Sequence, residues 1–238
     1  MKKLLKIIGV LFLVLIIGAF ILFKVYDKPL PAGQSGAEAD ELAQKMLKAV
    51  NVAAWDTLPF VKWSFRGQNH YVWDKFNDKA TIEFGETKVE MNLKVKSGTA
   101  LVNGREILDP DAKAKIMEKA WSNWCNDSFW LCAPSKAFDP GTEREVVKLD
   151  NGSEGLLVKY TSGGVTPGDK YLWELDENGR PVAWQMWTQI LKVGGLRTTW
   201  EDWEQLPGGA WIAKTHKMGS MNVDISNLAG ANTLEELK

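Results

Sequence analysis

The amino-terminal stretch has the strongest hydrophobic pattern in the chain. Residues Ile7 to Phe23 carry no charge, and these 17 residues would form a helix roughly 25 Å long at ~1.5 Å per residue. That length lies at the lower limit for crossing the hydrocarbon core of a bilayer, and flanking lysines can extend it by snorkelling. The stretch lacks the polar stripe of a helix on a soluble domain. The pattern predicts a transmembrane anchor over residues 1–27, in contact with the membrane through residues 4–23.

Two other interpretations of this segment remain, a cleaved export signal and a buried helix. The apolar run is longer than the ~7–15 residues usual in a signal peptide, and no small-residue cleavage site follows it closely. Lys2, Lys3 and Lys6 precede the apolar run. After the run, the charge of Asp27 offsets the charges of Lys24 and Lys28. By the positive-inside rule the amino end is cytoplasmic. We therefore expect a single-pass protein of the inner (cytoplasmic) membrane with a periplasmic carboxy-terminal domain.

Helical patterns follow a short polar segment. Residues 28–36 are rich in Pro, Gly and small polar residues, a composition typical of a linker. Apolar residues then recur at helical spacing from Ala37 to Val50. A second helix is predicted to begin at Asp109 and Pro110, because Asp is a favoured N-cap and Pro a favoured first helical residue. We expect this helix to end near Cys125-Asn126.

From Phe60 onwards the hydrophobic period changes to two, which is typical of strands with one face in water. The cleanest alternation runs from Lys88 to Lys96. Turn signals such as Asn103-Gly104 and Asn178-Gly179 separate the predicted strands at hairpin spacing. No crossover helix is indicated between Gly141 and Met218, so a doubly wound parallel sheet is not expected.

The order of these elements predicts an α+β fold class. Two helices cannot cover both faces of a sheet of this size, so curling the sheet around them buries one face and leaves the other wet. We expect a strongly curved antiparallel β half-barrel over residues 37–227, closed by the two helices and preceded by the anchor. Residues 228–238 show no docking signal and are predicted to form a tail.

Composition removes several function classes. The chain carries 29 Lys and Arg against 30 Asp and Glu, and a net charge of −1 does not suit a sequence-independent nucleic-acid binder. The two Cys and two His offer no ligand cluster for zinc, and His70 and His216 are interpreted as ordinary surface or packed residues. No nucleophile elbow or phosphate-binding glycine loop is present. The sequence therefore predicts no metal, no cofactor and no catalytic residue.

The unusual feature of the composition is its 12 Trp residues. In the strand predicted near residues 181–190, Trp184 and Met186 share one face and Trp187 lies on the other. The structural interpretation is that large rings fill the interior of a curved sheet. The functional interpretations are a pocket for an acyl chain, a platform for sugar rings and a surface at the bilayer interface. The residues predicted to form a cavity wall are Trp63, Phe65, Met91, Leu93, Trp121, Trp124, Trp173, Trp184 and Trp200.

Two neighbouring segments carry a family resemblance: WSNWCNDSFWL, from Trp121 to Leu131, and FDPG, from Phe138 to Gly141. With the order of elements, they are similar to uncharacterised secreted members of the LolA/LolB-type lipoprotein-carrier superfamily. The resemblance implies an antiparallel half-barrel closed by helices, with an apolar cavity, and it transfers no ligand-binding residue. Carriers of that kind are soluble or acylated, so a fixed anchor argues against free shuttling across the periplasm.

The predicted function is that of a membrane-anchored extracytoplasmic domain that binds a lipid, acyl or other apolar ligand. One rival is a solidly packed envelope scaffold that binds a protein partner. Another is a carbohydrate-active hydrolase, for which the candidate acids are Glu174, Glu201, Asp202 and Glu204. An oxidising compartment would permit a disulfide between Cys125 and Cys132, and free buried thiols are the alternative.

Overall fold

The computed structural model describes residues 27–191 and 193–237. The predicted anchor over residues 1–27 therefore lies outside the described residues, apart from Asp27. Within the described ranges, none of the helices is both long and apolar enough to cross a membrane.

Three α-helices lie in the described part of the chain: α1 (Ala37–Ala49), α2 (Val52–Thr57) and α3 (Pro110–Cys132). The first predicted helix is confirmed as α1. The predicted start of the second is confirmed by α3, where Asp109 Oδ1 accepts a hydrogen bond from the Ala112 amide at 2.8 Å. The short α2 is absent from the sequence-based prediction. Three single-turn 3-10 helices span Ala133–Lys136, Pro207–Gly209 and Glu235–Leu237.

The predicted end of the second helix near Cys125-Asn126 is wrong, because α3 continues to Cys132. Asn, Asp and Ser occupy residues 126–128, and their side chains compete with the backbone for hydrogen bonds and so disfavour helix interiors. In the folded protein Ser128 Oγ donates to Trp124 O at 2.6 Å, and Asp127 is held by side chains of a neighbouring strand. Tertiary contacts therefore override the local preference.

The strands in the described residues form two antiparallel sheets, which confirms the α+β class. The nine-stranded sheet has the order β12-β13-β14-β1-β2-β3-β4-β5-β6, and the five-stranded sheet has the order β11-β10-β9-β8-β7. Neither sheet closes into a barrel. The strands are β1 (Phe60–Phe65), β2 (Asn69–Asp74), β3 (Lys79–Phe84), β4 (Thr87–Asn92), β5 (Ser97–Val102), β6 (Arg105–Glu106), β7 (Thr142–Lys148), β8 (Glu154–Tyr160), β9 (Lys170–Leu175), β10 (Pro181–Trp187), β11 (Leu196–Thr199), β12 (Glu201–Gln205), β13 (Trp211–Met218) and β14 (Met221–Ala231).

Strand β4 is shorter than predicted, because it ends at Asn92 rather than near Lys96. Asn92 Oδ1 accepts hydrogen bonds from the amides of Lys94 and Val95, a local turn that redirects the chain into β5. Leu93 therefore lies in a turn rather than on a strand, where it packs only partly against the core.

Residues 196–205, which continue the period-two pattern, are divided between the two sheets. They form β11 up to Thr199 and β12 from Glu201, with Trp200 at the crossing. Asp202 has a left-handed backbone conformation with φ of 53°, and local bends of this kind let a strand change sheets. Thr199 Oγ1 accepts a hydrogen bond from the Lys217 amide of β13 at 3.0 Å, so the two sheets adjoin at this corner.

Helix α3 lies between two separate hydrophobic cores. The first core, under the nine-stranded sheet, contains Trp63, Phe65 and Met91, and Trp124 reaches it from α3. The second core, under the inner face of the five-stranded sheet, contains Trp173, Trp184 and Trp200 together with Met46 from α1. A smaller cluster on the outer face of the five-stranded sheet consists of Val147, Leu157 and Leu172.

The segment predicted as a linker, residues 28–36, is instead packed against the five-stranded sheet. Lys28 donates its backbone N–H to Gly194 O at 3.0 Å, and Gln34 pairs with Val146 of β7. Leu30 packs against the cluster on the outer face of that sheet. Composition alone misses this contact, because covering an apolar sheet face outweighs the flexibility of a Pro- and Gly-rich segment.

The predicted tail over residues 228–238 is also docked. Strand β14 continues to Ala231, which pairs with Phe60 of β1. Leu237 is buried, and its carbonyl oxygen accepts a hydrogen bond from Lys62 Nζ. The predicted domain end at residue 227 is therefore too early.

Candidate ligand-binding cavity

A cavity of about 620 Å³ lies between α3 and the five-stranded sheet. Its roof is formed by residues 121–130 of α3, and its floor by the inner face of β8, β9 and β10. The loop between β8 and β9 and the loop between β10 and β11 form its sides. A volume of this size falls within the ~300–1,000 Å³ range of small-molecule sites.

The floor is aromatic because of the strand register. Tyr171 of β9 pairs with Met186 of β10, and Trp173 pairs with Trp184, so alternate residues of both strands point to the same face. The ring centroids of Tyr171 and Trp184 lie 4.6 Å apart. From the roof, Phe129 stacks on Trp184 at 5.8 Å. Tyr171, Trp184 and Met186 line the cavity from the floor, and Phe129 lines it from the roof.

Asp169 organises the loops that form the mouth of the cavity. This buried carboxylate accepts hydrogen bonds from Thr166 Oγ1 at 2.7 Å and from the Gln189 amide at 2.8 Å. The Tyr171 hydroxyl also donates to it, at 3.3 Å. One side chain thus ties the β8–β9 loop to the β10–β11 loop and both of them to the floor.

A second buried carboxylate, Asp127, belongs to the roof. Its Oδ2 accepts hydrogen bonds from Asn69 Nδ2 at 2.7 Å and from the Tyr71 hydroxyl at 2.5 Å. Asn126 Nδ2 donates to its Oδ1 at 2.7 Å. Burial raises the pKa of Asp127, and these hydrogen bonds act in the opposite direction. Because Asn69 and Tyr71 lie on β2, Asp127 fixes α3 to the nine-stranded sheet.

Polar groups collect at the end of the cavity nearest the carboxyl end of α3. Lys136 Nζ lies 2.5 Å from Asp139 Oδ2, and both residues line the cavity. The Tyr160 hydroxyl is buried beside them and has no hydrogen-bond partner among the residues that the structure describes. Burial raises the pKa of Tyr160 well above its ordinary value, so the group is a neutral phenol.

The predicted disulfide is not present, because both cysteines are free thiols on one helix. Cys125 and Cys132 are two turns apart on α3, about 10 Å along its axis, beyond the ~7 Å Cα separation that a disulfide allows. Cys125 lines the cavity, and burial raises its pKa to about 11. Cys132 is buried and its Sγ donates to Ser128 O at 3.2 Å. The alternative of free thiols is the one that the structure shows.

Three of the nine predicted wall residues line this cavity: Trp121, Trp124 and Trp184. The other six do not. Trp63, Phe65 and Met91 are buried in the first core, and Leu93 packs at its edge. Trp173 and Trp200 are buried in the second core. Trp200 also borders a void of about 10 Å³, which has room for a single water and not for a chain.

Sequence reasoning missed most of the cavity wall. Phe129 and Trp130 lie beyond the predicted end of the second helix and are not among the nine predicted wall residues, yet α3 carries both of them into the wall. Met186 shares a face with Trp184 in the sequence pattern, so that signal was available. Asp127, Asp169 and Tyr160 had no signal, because each is defined by partners distant in the chain.

The acids proposed for a hydrolase are not brought together at the cavity. Glu174 lies on the outer face of β9, where Arg197 and Gln185 hold it. Lys217 pairs with Glu201, and Lys214 pairs with Asp202 and Glu204. These are ion pairs at the surface.

The two histidines occupy different environments. His70 is exposed, with Nδ1 2.7 Å from Ser64 Oγ. His216 is buried between Trp130 and Trp200, and burial lowers its pKa to about 4. In the part of the chain that the structure describes, no group of three or more His, Cys, Asp or Glu could hold a metal ion.

No protein-family model matches the chain, and a search of curated proteins gives no match. The resemblance to LolA/LolB-type carriers therefore stays a prediction that depends on the segment within α3 and on the order of elements.

Proposed function

We propose that this protein binds a lipid, acyl or other apolar ligand in the cavity under α3. The observation that carries the proposal is the cavity itself, about 620 Å³ with an aromatic floor and an aromatic roof. An acyl chain placed there would leave water for contact with Phe129, Trp130 and Trp184. Each Å² of apolar surface removed from water contributes ~25 cal/mol.

The architecture supports a relationship to the LolA/LolB-type half-barrel as part of the same proposal. Antiparallel sheets adjoin at Trp200, and α3 lies across both of them. A half-open sheet capped by a helix leaves an apolar hollow at the point where cap and sheet diverge. The cavity lies at such a point, between α3 and the ends of β8–β10.

The proposal includes a membrane anchor over residues 1–27 and an extracytoplasmic location for the folded part. Its support is the uncharged run from Ile7 to Phe23 and the lysines that precede it. An anchored lipid binder acts at the membrane surface rather than by diffusion across the periplasm. The rival, an envelope scaffold that binds a protein partner, requires no ligand in the cavity.

The experiment compares two methionines of one hairpin. Met218 lines the cavity, whereas its cross-strand neighbour Met221 is exposed. The full chain is purified from membranes, and its extracted lipids are identified by mass spectrometry. Met218→Asp places a short charged side chain, unable to snorkel to water, against the ligand, and Met221→Asp is the matched control.

We expect wild-type protein and Met221→Asp to carry lipid, and Met218→Asp to carry at least about tenfold less. Delipidation should also shift the tryptophan emission of the wild type, because several indoles line the cavity. Wild-type protein without lipid and without an emission shift would contradict the proposal and favour the scaffold. An equal loss in both variants would show that lipid is held elsewhere.

A further inference from the structure

The mouth of the cavity is surrounded by apolar side chains that face water. Val165 in the β8–β9 loop is 42% exposed, and Ile190 and Leu191 in the β10–β11 loop are 69% and 38% exposed. All three line the cavity, where Thr166 and Thr188 of the same two loops also contribute to the wall. Exposed apolar side chains around a cavity mouth are typical of a membrane or protein contact. We call these three residues the mouth patch.

The β10–β11 loop is bonded to the first described residues of the chain. Asp27 Oδ1 accepts a hydrogen bond from the Gly194 amide at 2.9 Å, and Lys28 N donates to Gly194 O at 3.0 Å. Trp187 Nε1 donates to Lys28 O at 2.8 Å. These contacts fix the start of the described chain beside the loop that carries Ile190 and Leu191.

The covalent chain limits how far this loop can lie from the apolar run. Four peptide steps separate Phe23 from Asp27, and an extended chain spans at most ~3.5 Å per residue, or about 14 Å in all. If residues 7–23 cross the bilayer, the loop is held at the membrane surface. Two residues beside this loop suit the membrane surface. Trp187 does so because tryptophan favours the lipid–water interface, and Lys28 does so because its ammonium group can reach lipid phosphates.

We propose that the mouth patch docks on the outer leaflet of the membrane that anchors the chain, so that the cavity opens directly to lipid. This inference rests on the proposed anchor. A ligand can then enter the cavity from the leaflet past Val165, Ile190 and Leu191 without crossing bulk water. The membrane, rather than a protein partner, is the occupant, since a bilayer-length apolar run ends only four residues before Asp27, which is bonded to Gly194 of the β10–β11 loop.

The first test measures depth in the membrane. A cysteine is introduced at Ile190 in full-length protein carrying Cys125→Ser and Cys132→Ala, spin-labelled and reconstituted in phosphatidylethanolamine–phosphatidylglycerol vesicles. The controls are Leu108 and Phe76, which are 79% and 62% exposed and do not line the cavity. We expect the label at residue 190 to be reached by lipid-soluble oxygen and protected from an aqueous nickel chelate, and the control labels to show the reverse.

A second measurement keeps the native cysteines, in case their replacement disturbs folding. Hydrogen exchange of the two mouth loops is followed in the same vesicles for the wild type, for Ile190→Glu with Leu191→Glu, and for Leu108→Glu. We expect the loops of the double variant to exchange about tenfold faster than those of the wild type, because the charged rim leaves the bilayer. The Leu108→Glu protein should match the wild type.

The outcomes separate this inference from the proposed function. A label at residue 190 as water-accessible as that at residue 108, or mouth loops that exchange alike in all three proteins, overturns membrane docking. If such protein still carries lipid, the proposed function stands without the docking. A lipid-exposed label on protein that carries no lipid supports docking and contradicts the proposed function.

Discussion

The two sides of α3 differ in how completely the helix covers the sheet. Toward the nine-stranded sheet, Trp124 packs against Trp63 at 5.6 Å, Tyr71 at 5.9 Å and Trp73 at 5.0 Å. Asp127 then bonds the helix to β2. Toward the five-stranded sheet, Trp130 meets Trp184 at 4.8 Å, but the end of the sheet beyond it stays uncovered and the cavity lies there.

The difference shows how a filled core and an open cavity arise around one helix. A single helix presents limited area, and here its buried polar contact points to the nine-stranded sheet. That contact, made by Asp127, holds α3 against the nine-stranded sheet, and the cavity lies on the opposite side of the helix. The open side is bounded by two loops that depend on Asp169 instead of on helix packing.

The largest expected effect comes from truncating one methionine on each side. Met91 is buried in the first core, so Met91→Ala leaves a cavity and should lower the free energy of unfolding by roughly 2–5 kcal/mol. Met218 lines a space that is already open, so Met218→Ala should lower it by about 1 kcal/mol or less. Denaturant unfolding measures both. Equal losses would mean that the two sides are equally packed.

Acid should weaken the second-core side through His216. Its pKa is about 4 in the folded protein because of burial and about 6.5 when unfolded, so the unfolded state binds more protons between these values. The free energy of unfolding should therefore fall as pH drops from 6.5 to 4, by roughly 3 kcal/mol in total. His216→Met removes this titration, and a variant with an unchanged pH slope would refute the prediction.

The two buried carboxylates should differ in effect: Asp127 should stabilise the whole domain, whereas Asp169 should stabilise only the mouth loops. Asp127→Asn replaces one of the two acceptor oxygens by an N–H₂ group, so either Asn126 or the pair Asn69 and Tyr71 loses its acceptor, and the free energy of unfolding should fall by about 1–3 kcal/mol. Asp169→Asn should mainly free the mouth loops, seen as faster hydrogen exchange at residues 161–169 and 188–191. The comparison fails if Asp127→Asn changes only local exchange, or if Asp169→Asn unfolds the whole domain more easily.

The smallest effect concerns two tyrosine hydroxyls. Tyr160→Phe removes a buried hydroxyl without a partner among the described residues, so stability should stay the same or rise by up to about 1 kcal/mol. Tyr71→Phe is the control, since it deprives Asp127 of a donor and should destabilise by about 1–2 kcal/mol. Chemical denaturation of both variants gives the sign, and a clear loss in Tyr160→Phe would show that this hydroxyl is hydrogen-bonded in solution.

Local signals in the sequence predicted the elements better than their assembly. The cap at Asp109, the Asn-Gly turn at residues 103–104 and the alternation in β1 each depend on residues close in the chain, and the structure confirms them. The cavity wall was predicted in part, because period-two alternation places Trp184 on the inner face but does not say which core that face closes. Trp63 and Trp173 have the same local signature as Trp184 and are equally buried, but neither lines the cavity.

The sequence by itself determined the α+β class, the antiparallel pairing and the apolar run that predicts an anchor, because hydrophobic period and turn chemistry are local properties. Only the tertiary structure decided that residues 196–205 divide at Trp200 between two sheets, that α3 runs to Cys132, and that residues 28–36 pack against the outer face of the five-stranded sheet. Those features depend on hydrogen bonds and packing between residues far apart in the chain. No local pattern encodes the balance of such contacts, so the position of the cavity follows from the fold alone.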